Sequence, residues 1–119
     1  MSKKFPNIIV NNTNKGVARI ILNDPDTYNT LSFVTIKSLI NCFKNLDQDK
    51  STKVIIIEGS GKGFSAGHNL KEIKFLKSKA NYQKLFSQCS KLMMQIISIK
   101  KPVIAKVHGA AFAAGCQLV

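Results

Sequence analysis

A chain of 119 residues and 13.1 kDa, 45% hydrophobic and 20% charged, allows one globular domain and excludes both two domains and a disordered chain. No apolar run approaches the roughly 20 residues of a membrane-spanning helix, and Ile8-Ile9-Val10 is too short for a secretory signal. Eighteen lysines and arginines against six acidic residues give a net charge of +12, a balance that suits polyanionic partners.

In chain order, Ile8–Val10 and Val17–Leu22 read as strands joined by the Asn/Gly-rich turn 11–16. Asn23-Asp24-Pro25-Asp26 ends the second strand, because proline removes a ladder donor. Ser32 is a plausible N-cap for a helix whose apolar face is Ile36, Leu39, Ile40, Phe43 and Leu46, with Lys37, Lys44 and Asn45 on the wet side. Val54-Ile55-Ile56-Ile57 is continuously apolar, as expected of a strand covered on both faces. After the break at Gly59-Ser60-Gly61-Lys62-Gly63, one helical region starts near Leu70 and a longer one runs from about Ala80 to Ser98. Leu85, Phe86, Cys89, Leu92, Met93, Ile96 and Ile97 form its stripe, and its methionines read as packing residues. Pro102 stops the helical pattern, Val103–Val107 reads as another buried strand, and an apolar helix begins at 114–119. The order is ββα, β, α, β, α, with no linker and no repeat.

The charge has a bland reading as well. Seventeen of the eighteen basic residues are lysine, in blocks of two at most, and base-reading surfaces lean on arginine forks that Arg19 alone cannot supply. Solvated lysines therefore outweigh a nucleic-acid surface. Cys42, Cys89 and Cys116 have neither zinc spacing nor the even count of a disulfide framework. Cys42 and Cys89 fall in apolar helical patterns and read as small core residues in a reducing compartment, most simply the cytoplasm.

The glycine cluster invites phosphate-loop readings, and both fail. Upstream of Gly61-Lys62 a P-loop needs a glycine where Ile56 stands, and downstream a Ser/Thr where Gly63 stands. Gly59, Gly61 and Gly63 alternate, which does not fit the dinucleotide fingerprint. What remains is two segments of small residues, 63–72 and 107–117, each between a buried strand and a helix start. Helix N-termini expose free N–H groups where partial positive charge collects, so two together could grip one oxyanion. Tight loops that merely need room would look the same.

Taken together, three motifs change that balance: Leu22-Asn23-Asp24-Pro25 with Asn29-Thr30-Leu31, then Gly63-Phe64-Ser65-Ala66-Gly67-His68-Asn69-Leu70-Lys71-Glu72, then Lys101-Pro102-Val103-Ile104-Ala105-Lys106-Val107-His108-Gly109. In this order the chain resembles the enoyl-CoA hydratase/isomerase (crotonase) superfamily over nearly all of its length. The resemblance implies an α/β crotonase-like spiral of ββα units, of which residues 1–119 would be the N-terminal part, stopping just after the second oxyanion-hole loop. It implies an acyl-CoA thioester as partner, with coenzyme A as part of the substrate, no separate cofactor and no metal. Its oxyanion hole would be the backbone N–H groups of His68 and Ala114, each contributing roughly 3–4 kcal/mol to an enolate-like transition state. The nucleotide end would meet Ser65, Ala66 and Gly67, and Lys62 and Lys71 would face the CoA phosphates. Full-length relatives would be homotrimers, with neither a membrane nor a nucleic-acid partner.

Departures from the family pattern bear on chemistry. The first of two hydratase glutamates falls at Gln117, whose amide cannot exchange a proton, and losing a general base costs roughly 10²–10⁴-fold. No carboxylate follows Glu72. Ala113 and Ala114 stand where many hydratases have glycines, which narrows the approach and keeps the N–H. His68 is expected to contribute its backbone, and His108 to bond within its own turn. Three readings result: an acyl-CoA-binding hydratase or isomerase, an inactive fragment acting by binding or association, and a basic nucleic-acid binder.

Overall fold

The computed structural model describes residues 5–13, 15–67, 79–109 and 111. Strands β1 (Ile8–Asn12) and β2 (Val17–Leu22) form an antiparallel hairpin with Ile8 opposite Leu22 and Asn12 opposite Ala18. Its turn is closed by Thr13, whose Oγ1 accepts the N–H groups of Lys15 and Val17. Past β2, the chain makes a single 3-10 turn at Pro25–Thr27 and enters helix α1 (Phe33–Gln48). Ser32 is the N-cap, its Oγ accepting the Thr35 N–H at 3.2 Å. Asp49 ends the helix. Its N–H reaches Asn45 O and Leu46 O, and its carboxylate accepts Ser51 N–H, Ser51 Oγ and Thr52 Oγ1. Those donors hold the Asp49 carboxyl below the ordinary carboxylate range. Lys101 Nζ donates to Leu46 O and Asp49 O, placing a cation where the helix dipole is negative.

Strand β3 (Val54–Gly59) pairs parallel with β2, helix α2 (Lys79–Ser98) follows, and β4 (Val103–Lys106) pairs parallel with β3. The sheet order is β1-β2-β3-β4. One core joins Ala18, Ile20, Leu22, Ile55 and Ile57 of the sheet to Leu39, Phe43, Leu85 and Leu92 of the helices. Each buried isoleucine, leucine or phenylalanine among them contributes about 1.5–3 kcal/mol by leaving water. Cys42 and Cys89 lie in this core, as their helical positions predict.

The expectation that β3 and β4 are covered on both faces is corrected. Ile55 and Ile57 are fully buried, whereas Val54 and Ile56 are half-buried, and Ile104 of β4 is 52% exposed. Both helices pack on the same face, so a continuous apolar run marks the strands without saying what covers them. The second face carries a charge ladder instead. Arg19 Nη2 lies 2.8 Å from Glu58 Oε1 and 2.9 Å from Oε2, with Lys106 Nζ 3.6 Å from Oε2. The stripe on α2 is narrower than expected. Leu85, Cys89 and Leu92 are buried and Met93 and Ile96 half-buried, while Phe86 and Ile97 rotate outward, Ile97 to 77% exposure. Met94 is exposed too, so only Met93 of this pair packs against the core. The helical region expected near Leu70 and the helix expected over 114–119 lie outside the described residues.

Candidate functional site

Parallel pairing of β3 with β4 puts the ends of both strands on one edge of the sheet, so the loops that follow them leave side by side. The first loop is 59–67, and of the second residues 107–109 and 111 are described. An isolated parallel bridge joins Ser65 to Ala111. The fit is close at the base of the loops: a β-carbon on Gly109, whose φ is +62°, would lie 2.2 Å from Lys62 O. His108 reaches across rather than into its own turn, with Nε2 2.8 Å from Gly61 O, which corrects the expectation for this residue. The sheet topology places residue 108 beside residue 61, a neighbourhood that local turn chemistry does not contain.

The first loop is wound around one side chain. Asn29 is 1% exposed, and its Nδ2 donates to Ser60 O at 2.8 Å and to Gly63 O and Phe64 O at 3.1 Å. Its Oδ1 accepts the Asp24 N–H at 2.8 Å. The loop also folds back on its strand, since a β-carbon on Gly59 would sit 2.5 Å from Phe64 O. Phe64 plugs the core with no exposure. Ser65 Oγ donates to Asn29 O at 2.8 Å and accepts the Gly67 N–H at 3.2 Å. Ala66 N–H goes to Tyr28 O, and Gly67 O accepts the Leu31 N–H.

Of the residues singled out in the sequence, Lys62, Ser65, Ala66 and Gly67 come together in this loop. Lys62 is exposed at the turn where the two loops touch. Ser65 is 1% exposed with both its hydroxyl functions engaged, so it holds the loop and is no nucleophile. His68, Lys71, Ala114 and Gln117 lie outside the described residues. Asn29 has no role in the sequence reading beyond its place in a motif. The available signal was an asparagine, which tolerates the left-handed φ of +56° found there, two residues after the 3-10 turn.

Other chemistries find little here. Neither loop carries a carboxylate, and among the described residues no three His, Cys, Asp or Glu side chains gather as a metal site. Burial pushes the Cys42 thiol up to about 12 and Cys89 upward, leaving both protonated at neutral pH. A groove of about 690 Å³ lies between α1 and α2, lined by Phe33, Ile36, Ile40 and Lys84 among others, and shares no residue with the loops. Among the described residues, no helix is long and apolar enough to cross a membrane.

Comparison with known proteins agrees with this architecture. Residues 12–119 match the family model for Enoyl-CoA hydratase/isomerase. The chain is 45% identical over 104 residues to the mitochondrial enoyl-CoA hydratase domain-containing protein 3 of Xenopus laevis, covering 87% of this chain and 35% of that protein. A crystal structure of an enoyl-CoA hydratase from Mycobacterium smegmatis superposes with a TM-score of 0.92 at 41% identity, over 95% of this chain and 44% of that one. The crystal structure of human enoyl-CoA hydratase domain-containing protein 3 gives 0.88 at 39% identity, over 94% and 44%. The chain thus spans about a third of the length of such curated relatives. Its crotonase-like fold corresponds to their N-terminal half in the solved structures, as the motifs imply. With a family match over most of its length and two interlocked strand-end loops, the chain belongs to the enoyl-CoA hydratase/isomerase family.

Proposed function

We propose that this chain binds an acyl-CoA thioester where its two loops meet, and that the backbone N–H groups of His68 and Ala114 hold the thioester oxygen. The observation that carries the reading is the bridge between Ser65 and Ala111. His68 and Ala114 each follow their bridged residue by three positions in the chain. Ser65, Ala66 and Gly67 would meet the nucleotide end through their backbone, because the Ser65 hydroxyl is already engaged. Lys62 is exposed beside the junction and suits a phosphate, as does Lys71 by its place in the motif.

The reaction class is that of a hydratase or isomerase, with binding outlasting turnover. Gln117, which the resemblance puts at the family's glutamate position, favours a second reading in which the chain acts by binding or association. Homotrimers remain part of the proposal for a complete domain. The sole arginine, Arg19, is held on Glu58, which weighs against a base-reading surface. Buried thiols at Cys42 and Cys89 suit a reducing compartment, the cytoplasm in our reading, although the similar vertebrate proteins are named mitochondrial.

Calorimetric titration with crotonyl-CoA tests the proposal. Saturable heat, competed away by CoA, is the expected result; no heat and no competition would remove it. Gln117→Glu in a complete domain separates the two readings, since a gain in hydration favours the enzyme and no gain favours the binding protein.

A further inference from the structure

We infer that Asn29 is a positioning residue that aims the backbone of the first loop at its ligand, working from the inside of the loop through Ser65. For what the loop meets, this rests on the acyl-CoA reading above; for how the loop is held, it rests on the hydrogen bonds alone.

Asn29 acts on both limbs. On the entering limb, one amide nitrogen gathers the carbonyls of Ser60, Gly63 and Phe64, the last two in a buried setting. The orientation of the amide is fixed, because its oxygen already accepts the Asp24 N–H. Turned over, it would set an oxygen against three carbonyl oxygens. On the leaving limb, the left-handed backbone of Asn29 (φ +56°) carries its own C=O to Ser65 Oγ at 2.8 Å. The hydroxyl has one proton, and Asn29 O takes it, so only lone pairs remain for the Gly67 N–H at 3.2 Å. The relay therefore has a single direction: Gly67 N–H to Ser65 to Asn29.

The other side of Gly67 is held by the same segment. Gly67 O accepts the Leu31 N–H at 2.6 Å, two residues beyond Asn29, and the φ of +88° at Gly67 is one that only glycine adopts without strain. Residues 29 to 31 are in effect a jig for Gly67, built around a buried asparagine 38 residues upstream of it in the chain.

The experiment uses two variants, Ser65→Ala and Asn29→Asp, read by amide hydrogen exchange at Ala66 and Gly67 and by crotonyl-CoA affinity. Ser65→Ala removes the relay and nothing larger, so it remains informative if Asn29→Asp fails to fold. We expect Gly67 exchange about tenfold faster in Ser65→Ala, core amides such as Leu39 unchanged, and crotonyl-CoA affinity about tenfold weaker, in line with one lost hydrogen bond. Asn29→Asp keeps the shape and loses the donors, and should weaken affinity further. Unchanged Gly67 exchange overturns the inference. Faster exchange with unaltered affinity overturns its role in binding. If the parent chain shows no affinity while exchange responds as stated, the acyl-CoA reading falls and the relay stands.

Discussion

The two loops at the ends of β3 and β4 are held by different balances of side-chain bonds and close backbone approach. The first is tied from within by side chains, with Asn29 and Ser65 making its internal bonds and Phe64 anchoring it in the core. The second is seated mainly by close backbone approach, because Gly109 lets its backbone rest against Lys62 O, and the His108 side chain adds one bond to Gly61 O. A loop held by side chains can be loosened one bond at a time. A loop held by close backbone approach fails as soon as any atom is added.

Phe64→Ala should be the most disruptive change, costing about 3–5 kcal/mol as a buried aromatic is lost, measured by urea denaturation. Comparable loss from substituting an exposed residue such as Phe86 would break the claim that the first loop is pinned by its core anchor. Gly109→Ala comes next. Its left-handed φ alone costs about 1–2 kcal/mol, and the contact with Lys62 O must also open. Proteolysis should then cut the second loop faster while the first stays protected; equal protection of both would contradict the division. His108→Ala removes one exposed hydrogen bond and should cost about 0.5–1.5 kcal/mol at most, with Gly61 the amide-region reporter in NMR.

Far from both loops, Asp49 offers the smallest effect and a sign to check. Its folded pKa lies below its unfolded value, so its contribution is present above the ordinary carboxylate range and is lost as pH falls through the folded value. Asp49→Asn should flatten only the acid limb of the stability profile. Flattening near neutrality instead would assign that titration elsewhere.

How far these features can be read from residues alone follows from how local each one is. Ser32 and the spacing of Ile36, Leu39, Phe43 and Leu46 specify α1 within a few turns of chain, and the cap and buried face are found there. On α2 the same spacing rule admits Phe86 and Ile97, since it cannot tell a stripe facing the core from one a hundred degrees round. For β3, four consecutive apolar residues encode a strand but not its cover. Lys62, Ser65, Ala66 and Gly67 were legible as one loop because they fall within six consecutive residues. Asn29 and His108 were not, because their loop partners lie 31 to 36 and 47 residues away and only the parallel sheet brings them close.

The most direct test of the acyl-CoA site is an NMR titration of the chain with crotonyl-CoA. Binding at the loop junction predicts that amide shifts concentrate at 59–67 and 107–111 and saturate. Shifts scattered over exposed lysines such as Lys44, Lys53 and Lys91, falling away with added salt, would contradict it and return the charge of +12 to a diffuse electrostatic attraction.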